Sequence, residues 1–197
     1  KMIGSKVLDK EQEEGLVSHL NDDEFLSAYG IHSMAKQDPA FDQVDIDNGG
    51  GGNYVAFTPR IAQFLYQAGY TAQADELLKR TLWWGERLPY WGDSMVANQI
   101  EYRKDTPLQN AIDAGAGAQC IIFGMFGVKL ELDGTVTINP KLPSWAPQAS
   151  LKGLKLRGLS VDISVTGREF TVRVGHRVIP SKIGTPVALP ESKVPTA

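Results

Sequence analysis

The sequence predicts an α+β protein, helical in its first two-thirds and antiparallel β in its last third. Three observations predict this. Between Tyr54 and Gly127 apolar residues recur at helical spacing. After Gly127 the period drops to two and turn signals punctuate short runs. Long polar, Gly-rich segments interrupt the first part only. The expected division is therefore residues 1–127, helical, and residues 128–197, an antiparallel β domain with a frayed tail.

Asp9 to Leu20 is charged, with a thin apolar stripe that still allows a helix. Phe25, Leu26 and Tyr29 form a short apolar cluster. YGIHSMAKQDPAFDQVDIDNGGGGN follows, an irregular stretch of a length that in a compact domain is usually functional. Tyr54 to Ala68 reads as a helix, with Ile61, Phe64, Leu65 and Ala68 at helical spacing, Pro59 tolerable only near the first turn and Gly69 at its end. Thr71 is placed as the cap of a second helix running to about Trp84, with Ala74, Leu77, Leu78 and Leu82 inward. A few linking residues make the two an antiparallel hairpin. Residues 85–106 form an aromatic loop, with Trp83 beside it as a packing residue. A third helix is expected from Leu108 to Gly127, where glycines among the alanines suggest a close neighbour or ligand.

The β part begins with VKLEL, Asp133-Gly134 and TVTIN, a hairpin with a strong turn signal. LKGLKLRG, LSVDISVT and EFTVRVGH continue it, with Thr166-Gly167-Arg168 as another turn. Its polar face is basic, through Lys152, Lys155, Arg157, Arg168, Arg173 and Arg177, and reads as a solvated surface.

Composition excludes some function classes. Of 197 residues, 42% are hydrophobic and 22% charged, and the net charge is -3. Such a chain does not hold nucleic acid by bulk charge. No apolar run reaches the ~18 residues that span a bilayer, so neither nucleic acid nor membrane is an expected partner. Cys120 is the one cysteine and reads as a small buried hydrophobe. No cofactor and no metal are expected.

Three constellations could carry chemistry. In DTPLQNAIDAGAGAQ, Asp113 lies near a helix start, where free N–H groups and the helix dipole would hold a carboxylate ionised. Gln109 and Asn110 precede it. Asp113 is there either a helix cap or a base. The aromatic loop offers Tyr90, Trp91, Asp93, Asn98, Gln99, Tyr102 and Arg103, with an indole beside an acid, the pairing that grips a pyranose by face and hydroxyls. Asp45-Ile46-Asp47-Asn48 precedes four glycines and could bind a cation, cradle a phosphate or act as a hinge.

The order of helical hairpin, aromatic loop, small-residue helix and INPKLPSWAPQASLKGLKLRG resembles the C-terminal part of bacterial six-hairpin (α/α)6-barrel glycoside hydrolases, nearest to the group of families 95 and 65. Pro107, Gln109, Ile112 and Asp113 match the segment that opens the last barrel helix in family 95. Asn139, Pro140, Leu142, Pro143, Trp145, Gly153-Leu154 and Arg157-Gly158 match the block leading into the terminal β domain. Here AGAG replaces the asparagine-phenylalanine-glycine that follows the family's acid.

The resemblance implies a partial barrel followed by a small antiparallel β domain. It implies a glycosidase acting on oligo- or polysaccharides by inversion, with Asp113 as general base and the general acid outside this chain. Trp91, Asp93, Gln109, Asn110, Asp47, Asn48, Tyr90 and Arg103 are the expected substrate contacts, with Asp45 in reserve. A barrel needs twelve helices, so the rest is expected from the same polypeptide or another chain. An inverting disaccharide phosphorylase and a non-catalytic carbohydrate-binding or assembly piece are the alternatives. The bacterial resemblance leans to a periplasmic or extracellular setting.

Overall fold

Asp9 opens the first helix, α1 (Lys10–Ser18), with a reciprocal cap. Its carboxylate accepts from the Gln12 N–H, and the Gln12 side chain accepts from the Asp9 N–H. The structure is a computed structural model that describes residues 2–41, 51–87, 94–96, 101–102 and 115–189. Within these, the protein is α+β, with four α-helices and small antiparallel sheets. The chain separates into two compact units, Lys1–Cys120 and Ile121–Ala197.

In the first unit, two short strands follow α1. These are β1 (Leu26–Ser27) and β2 (Gly30–Ile31), paired antiparallel. Next come β3 (Asn53–Tyr54), α2 (Phe57–Ala68) and α3 (Thr71–Gly85). Then come β4 (Ser94–Met95) and α4 (Ala116–Gln119). The helix α2 ends at Gly69 in the left-handed conformation, as its sequence requires. Leu65, Tyr66, Leu77 and Leu78 fill the space between α2 and α3. The Tyr66 hydroxyl donates to Asp75 on α3 at 2.7 Å, which ties the hairpin across its polar edge.

Four expectations need correction. Tyr54 is in a strand, and the helix starts only at Phe57. Thr71 is the first residue of α3, and the Ala74 N–H bonds the Tyr70 carbonyl, so Tyr70 rather than Thr71 stands before the helix. Leu82 is exposed although its neighbours Thr81 and Trp83 are buried or packed, so it points to solvent rather than inward. Among the described residues nothing lies within 4 Å of where a side chain on Gly115 or Gly117 would sit, so no described neighbour explains them. After α4 the chain winds into a π-helix over Cys120–Met125, with the Phe126 N–H on the Ile121 carbonyl.

In the second unit, β5 (Val128–Leu130), β6 (Val136–Ile138) and β11 (Val187–Ala188) form one sheet in the order β11-β6-β5. The other holds β7 (Gln148–Leu156), β8 (Leu159–Thr166), β9 (Glu169–Val174) and β10 (Arg177–Lys182), ordered β10-β9-β8-β7. Val161, Ile163 and Val165 of β8 and Phe170 and Val172 of β9 are buried, with polar residues between them. All six basic residues of the expected polar face are exposed.

Gly127 joins the π-helix to β5 at a φ of 60°, where a Cβ would lie 1.9 Å from the Asn139 carbonyl oxygen. Gly153, at a φ of 68°, has nothing within 4 Å. Gly127→Ala should therefore combine a left-handed strain of about 1–2 kcal/mol with a backbone collision, whereas Gly153→Ala should cost the strain alone. Urea unfolding of both variants checks this; equal losses would show that Asn139 yields without cost.

Candidate functional site

The sequence-derived site residues Asp47, Asn48, Tyr90, Trp91, Asp93, Arg103, Gln109, Asn110 and Asp113, and the reserve Asp45, lie outside the described residues. What the structure does describe is the framework from which those segments depart. β3 pairs with β4, placing Tyr54 opposite Ser94 and Asn53 opposite Met95. Met95 bridges in turn to Tyr102, and the Val96 N–H bonds the Glu101 carbonyl at 3.1 Å. A three-segment ladder results. Ser94, the chain neighbour of Asp93, and Tyr102, the chain neighbour of Arg103, are both fixed by it.

The ladder is anchored from below. Tyr29, Val55, Met95 and Tyr102 form a buried cluster with Trp83 packed against it. The Trp83 ring lies 5.4 Å from Tyr29, and the Arg87 guanidinium sits 3.8 Å over it. Trp83 is thus occupied by protein contacts, as a packing residue should be.

A different aromatic pair has one ring, Phe57, open to solvent and the other, Tyr54, half-buried. Tyr54 and Phe57 have ring centroids 5.0 Å apart, and Phe57 is 38% exposed. Sequence reasoning missed it by placing both rings inside one helix. Pro59 held the signal, since a proline belongs in the first turn and so leaves Tyr54 before the helix.

Two buried polar side chains lie beside the ladder. His32 Nδ1 is hydrogen-bonded with the Gly51 carbonyl, while its Nε2 and the Asn53 Nδ2 are buried without a partner. Burial pushes the His32 pKa below the usual imidazole value; the bond to the Gly51 carbonyl opposes this, and Lys36 adds a smaller push downward. Burial also raises the Asp75 carboxyl, against the Tyr66 hydroxyl that holds it down. Cys120 is buried, with its thiol pushed up to about 12, so it is no nucleophile at neutral pH. Among the described residues no group of three or more His, Cys, Asp or Glu could hold a metal ion, and no helix is long and apolar enough to cross a membrane.

No protein-family model matches this chain, and no curated protein matches it significantly.

The Asp75 arrangement fixes a pH dependence. A carboxyl raised in the fold favours its neutral form, so that contribution to stability is full at low pH and is lost as pH rises through the folded pKa. The Tyr66 hydroxyl opposes this by bonding the ionised form. Tyr66→Phe should therefore cost about 1–2 kcal/mol at pH 7, moderated by the carboxylate's partial hydration, and less near pH 4. Thermal unfolding at the two pH values measures the difference; an equal loss at both would mean that the hydroxyl matters through packing alone.

Proposed function

We propose that this chain forms part of an inverting glycoside hydrolase, with α2 and α3 as one hairpin of an (α/α)6 barrel. The observation that carries the reading is the ladder. Its strands set Ser94, the chain neighbour of Asp93, opposite Tyr54 and Tyr102, the chain neighbour of Arg103, against Met95, and the Tyr54 ring lies tilted against the exposed Phe57. An apolar ring face beside anchored polar segments suits a pyranose, which offers an apolar C–H face and a rim of hydroxyls. The resemblance of residues 107–113 and 139–158 to six-hairpin hydrolases supplies the reaction class.

In this reading Asp113 is the general base and deprotonates the attacking water. The general acid comes from the rest of the barrel, on the same polypeptide or another chain. Inversion requires the two carboxylates to stand ~6.5–9.5 Å apart, with the water between Asp113 and the anomeric carbon. Trp91, Asp93, Gln109, Asn110, Asp47, Asn48, Tyr90 and Arg103 are the proposed sugar contacts, joined now by Tyr54 and Phe57.

The completed enzyme, assayed on a panel of oligosaccharides with the product anomer read by NMR, tests the proposal. Inverted hydrolysis supports it, whereas cleavage that needs inorganic phosphate would move the reading to a phosphorylase. Asp113→Asn should lower kcat by ~10²–10⁴-fold, leave KM little changed, and remove the acid limb of the pH–rate profile. A variant that turns over normally but unfolds earlier would make Asp113 a helix cap.

Phe57→Ala should act on binding instead. Loss of one stacking face is worth about 1 kcal/mol, roughly a fivefold rise in KM with kcat nearly unchanged. A KM equal to that of the parent enzyme would remove the pair from the sugar site.

A further inference from the structure

The last two glycines of the four-glycine run, Gly51 and Gly52, are held by the two residues that follow β2. Ser33 donates its backbone N–H to the Gly52 carbonyl at 3.1 Å. The His32 ring meets the Gly51 carbonyl through Nδ1. A carbonyl only accepts, so Nδ1 carries the proton and Nε2 is left with a lone pair. His32 is 2% exposed, and Nε2 has no partner. The Phe41 ring lies edge-on to the imidazole at 5.7 Å, and a side chain on Gly51 would collide with that same ring. The glycine therefore lets the carbonyl come up to the histidine, and the histidine answers it with a single N–H.

We propose that His32 is a pH-sensitive clamp on Gly51–Gly52, closed while the imidazole is neutral and released when it is protonated. Protonation would place a second N–H at Nε2, in a buried position where no described residue offers it an acceptor. A buried cation without a counter-charge or a hydrogen-bond acceptor is costly, so the ring gains by leaving for water. Its departure removes the bond to Gly51 and weakens the neighbouring one to Gly52.

The surrounding charges favour release. Lys36, on the segment after β2, is the charged group whose field reaches His32 among the described residues, and it opposes a second positive charge. Its amine is held on the Asp22 carbonyl. The segment whose Phe25 carbonyl accepts from the His32 N–H also carries the exposed His19–Glu24 pair, at 3.0 Å. That pair must be controlled. From α2 the nearest polar contribution is the Thr58 hydroxyl, which is neutral and accepts from the Ile31 N–H.

The sign follows from burial. A histidine whose folded pKa is depressed stabilises the closed clamp above its unfolded value, about 6.5, and that contribution is lost as pH falls. The open population should then rise by up to about tenfold per pH unit below 6.5. The clamp rests on this geometry alone and stands whether or not the chain belongs to a glycosidase.

The test is amide hydrogen exchange of Ser33, followed by NMR on the 197-residue chain between pH 7.5 and 5 and corrected for intrinsic exchange. The expected result is a loss of protection of up to about fivefold between pH 6.5 and 5.5, unaltered in His19→Gln. His32→Asn places an amide N–H where Nδ1 stood and cannot titrate, so its Ser33 protection should not change with pH. Protection that stays constant in the parent chain, or falls equally in His32→Asn, overturns the clamp. Should His32→Asn not fold, the imidazole resonances of the parent chain decide. A ring that titrates in step with Ser33 exposure supports the clamp, and one that titrates while Ser33 stays protected overturns it.

Discussion

Met95 has no exposed surface, and the arrangement of the first unit around the candidate site depends on its burial. It lies at the centre of a ladder of three segments, with the distant Asn53 on one side and Tyr102, seven residues on, on the other. Two-residue strands cannot hold one another by backbone hydrogen bonds, since an isolated hairpin is marginal in water. Burying Met95 among Tyr29, Val55 and Tyr102 supplies the missing stabilisation. A buried thioether suits the place, because its flexible chain fills the gap between differently shaped aromatic rings.

The region before β3 depends on the helical hairpin in the same manner. Arg80 on α3 reaches Asp22 with two guanidinium nitrogens, bonds Glu76 one turn back, and donates to the Ser27 carbonyl. Its side chain is largely buried, so these are charge-assisted bonds in a partly dry setting rather than a loose surface pair. The Asp22 carboxyl is held below its usual range by that guanidinium. Gly30 completes the contact. Its φ of 124° and its approach to the Thr58 side chain leave no room for a Cβ, and the Thr58 hydroxyl in turn accepts the Ile31 N–H. The β1–β2 hairpin is thus docked by one arginine fork and one glycine–threonine contact. That docking fixes where His32 and Ser33 stand.

The second unit follows a different economy. Its long strands carry alternating burial, and its edges are blunted. Pro180 interrupts the donors of β10, while β7 breaks register between Leu151 and Leu154. There the Asp162 carboxylate takes up the Gly153 N–H. A proline and a bulge at the two edges of one sheet discourage pairing with other chains. The Arg157 guanidinium, bonded to the Gly134 carbonyl, ties the β7–β8 turn to the β5–β6 turn.

The sequence by itself determined everything set within a few residues. The Gly69 terminus, the Leu77 and Leu78 stripe, the Asp133-Gly134 turn and the alternation of β8 and β9 all stand where periodicity and turn chemistry place them. The candidate acids and sugar contacts were nameable from residue type and resemblance alone. Tertiary structure decided what those patterns cannot encode. Tyr54 left its apparent helix to pair with Ser94, Leu82 turned to solvent, and His32 met Gly51 across the chain. The contact of Tyr54 with the exposed Phe57 follows from the first of these. A two-residue strand has no period to read, and a buried histidine looks in sequence like any other. Their partners are chosen by long-range burial and by the demand that buried polar groups find a bond.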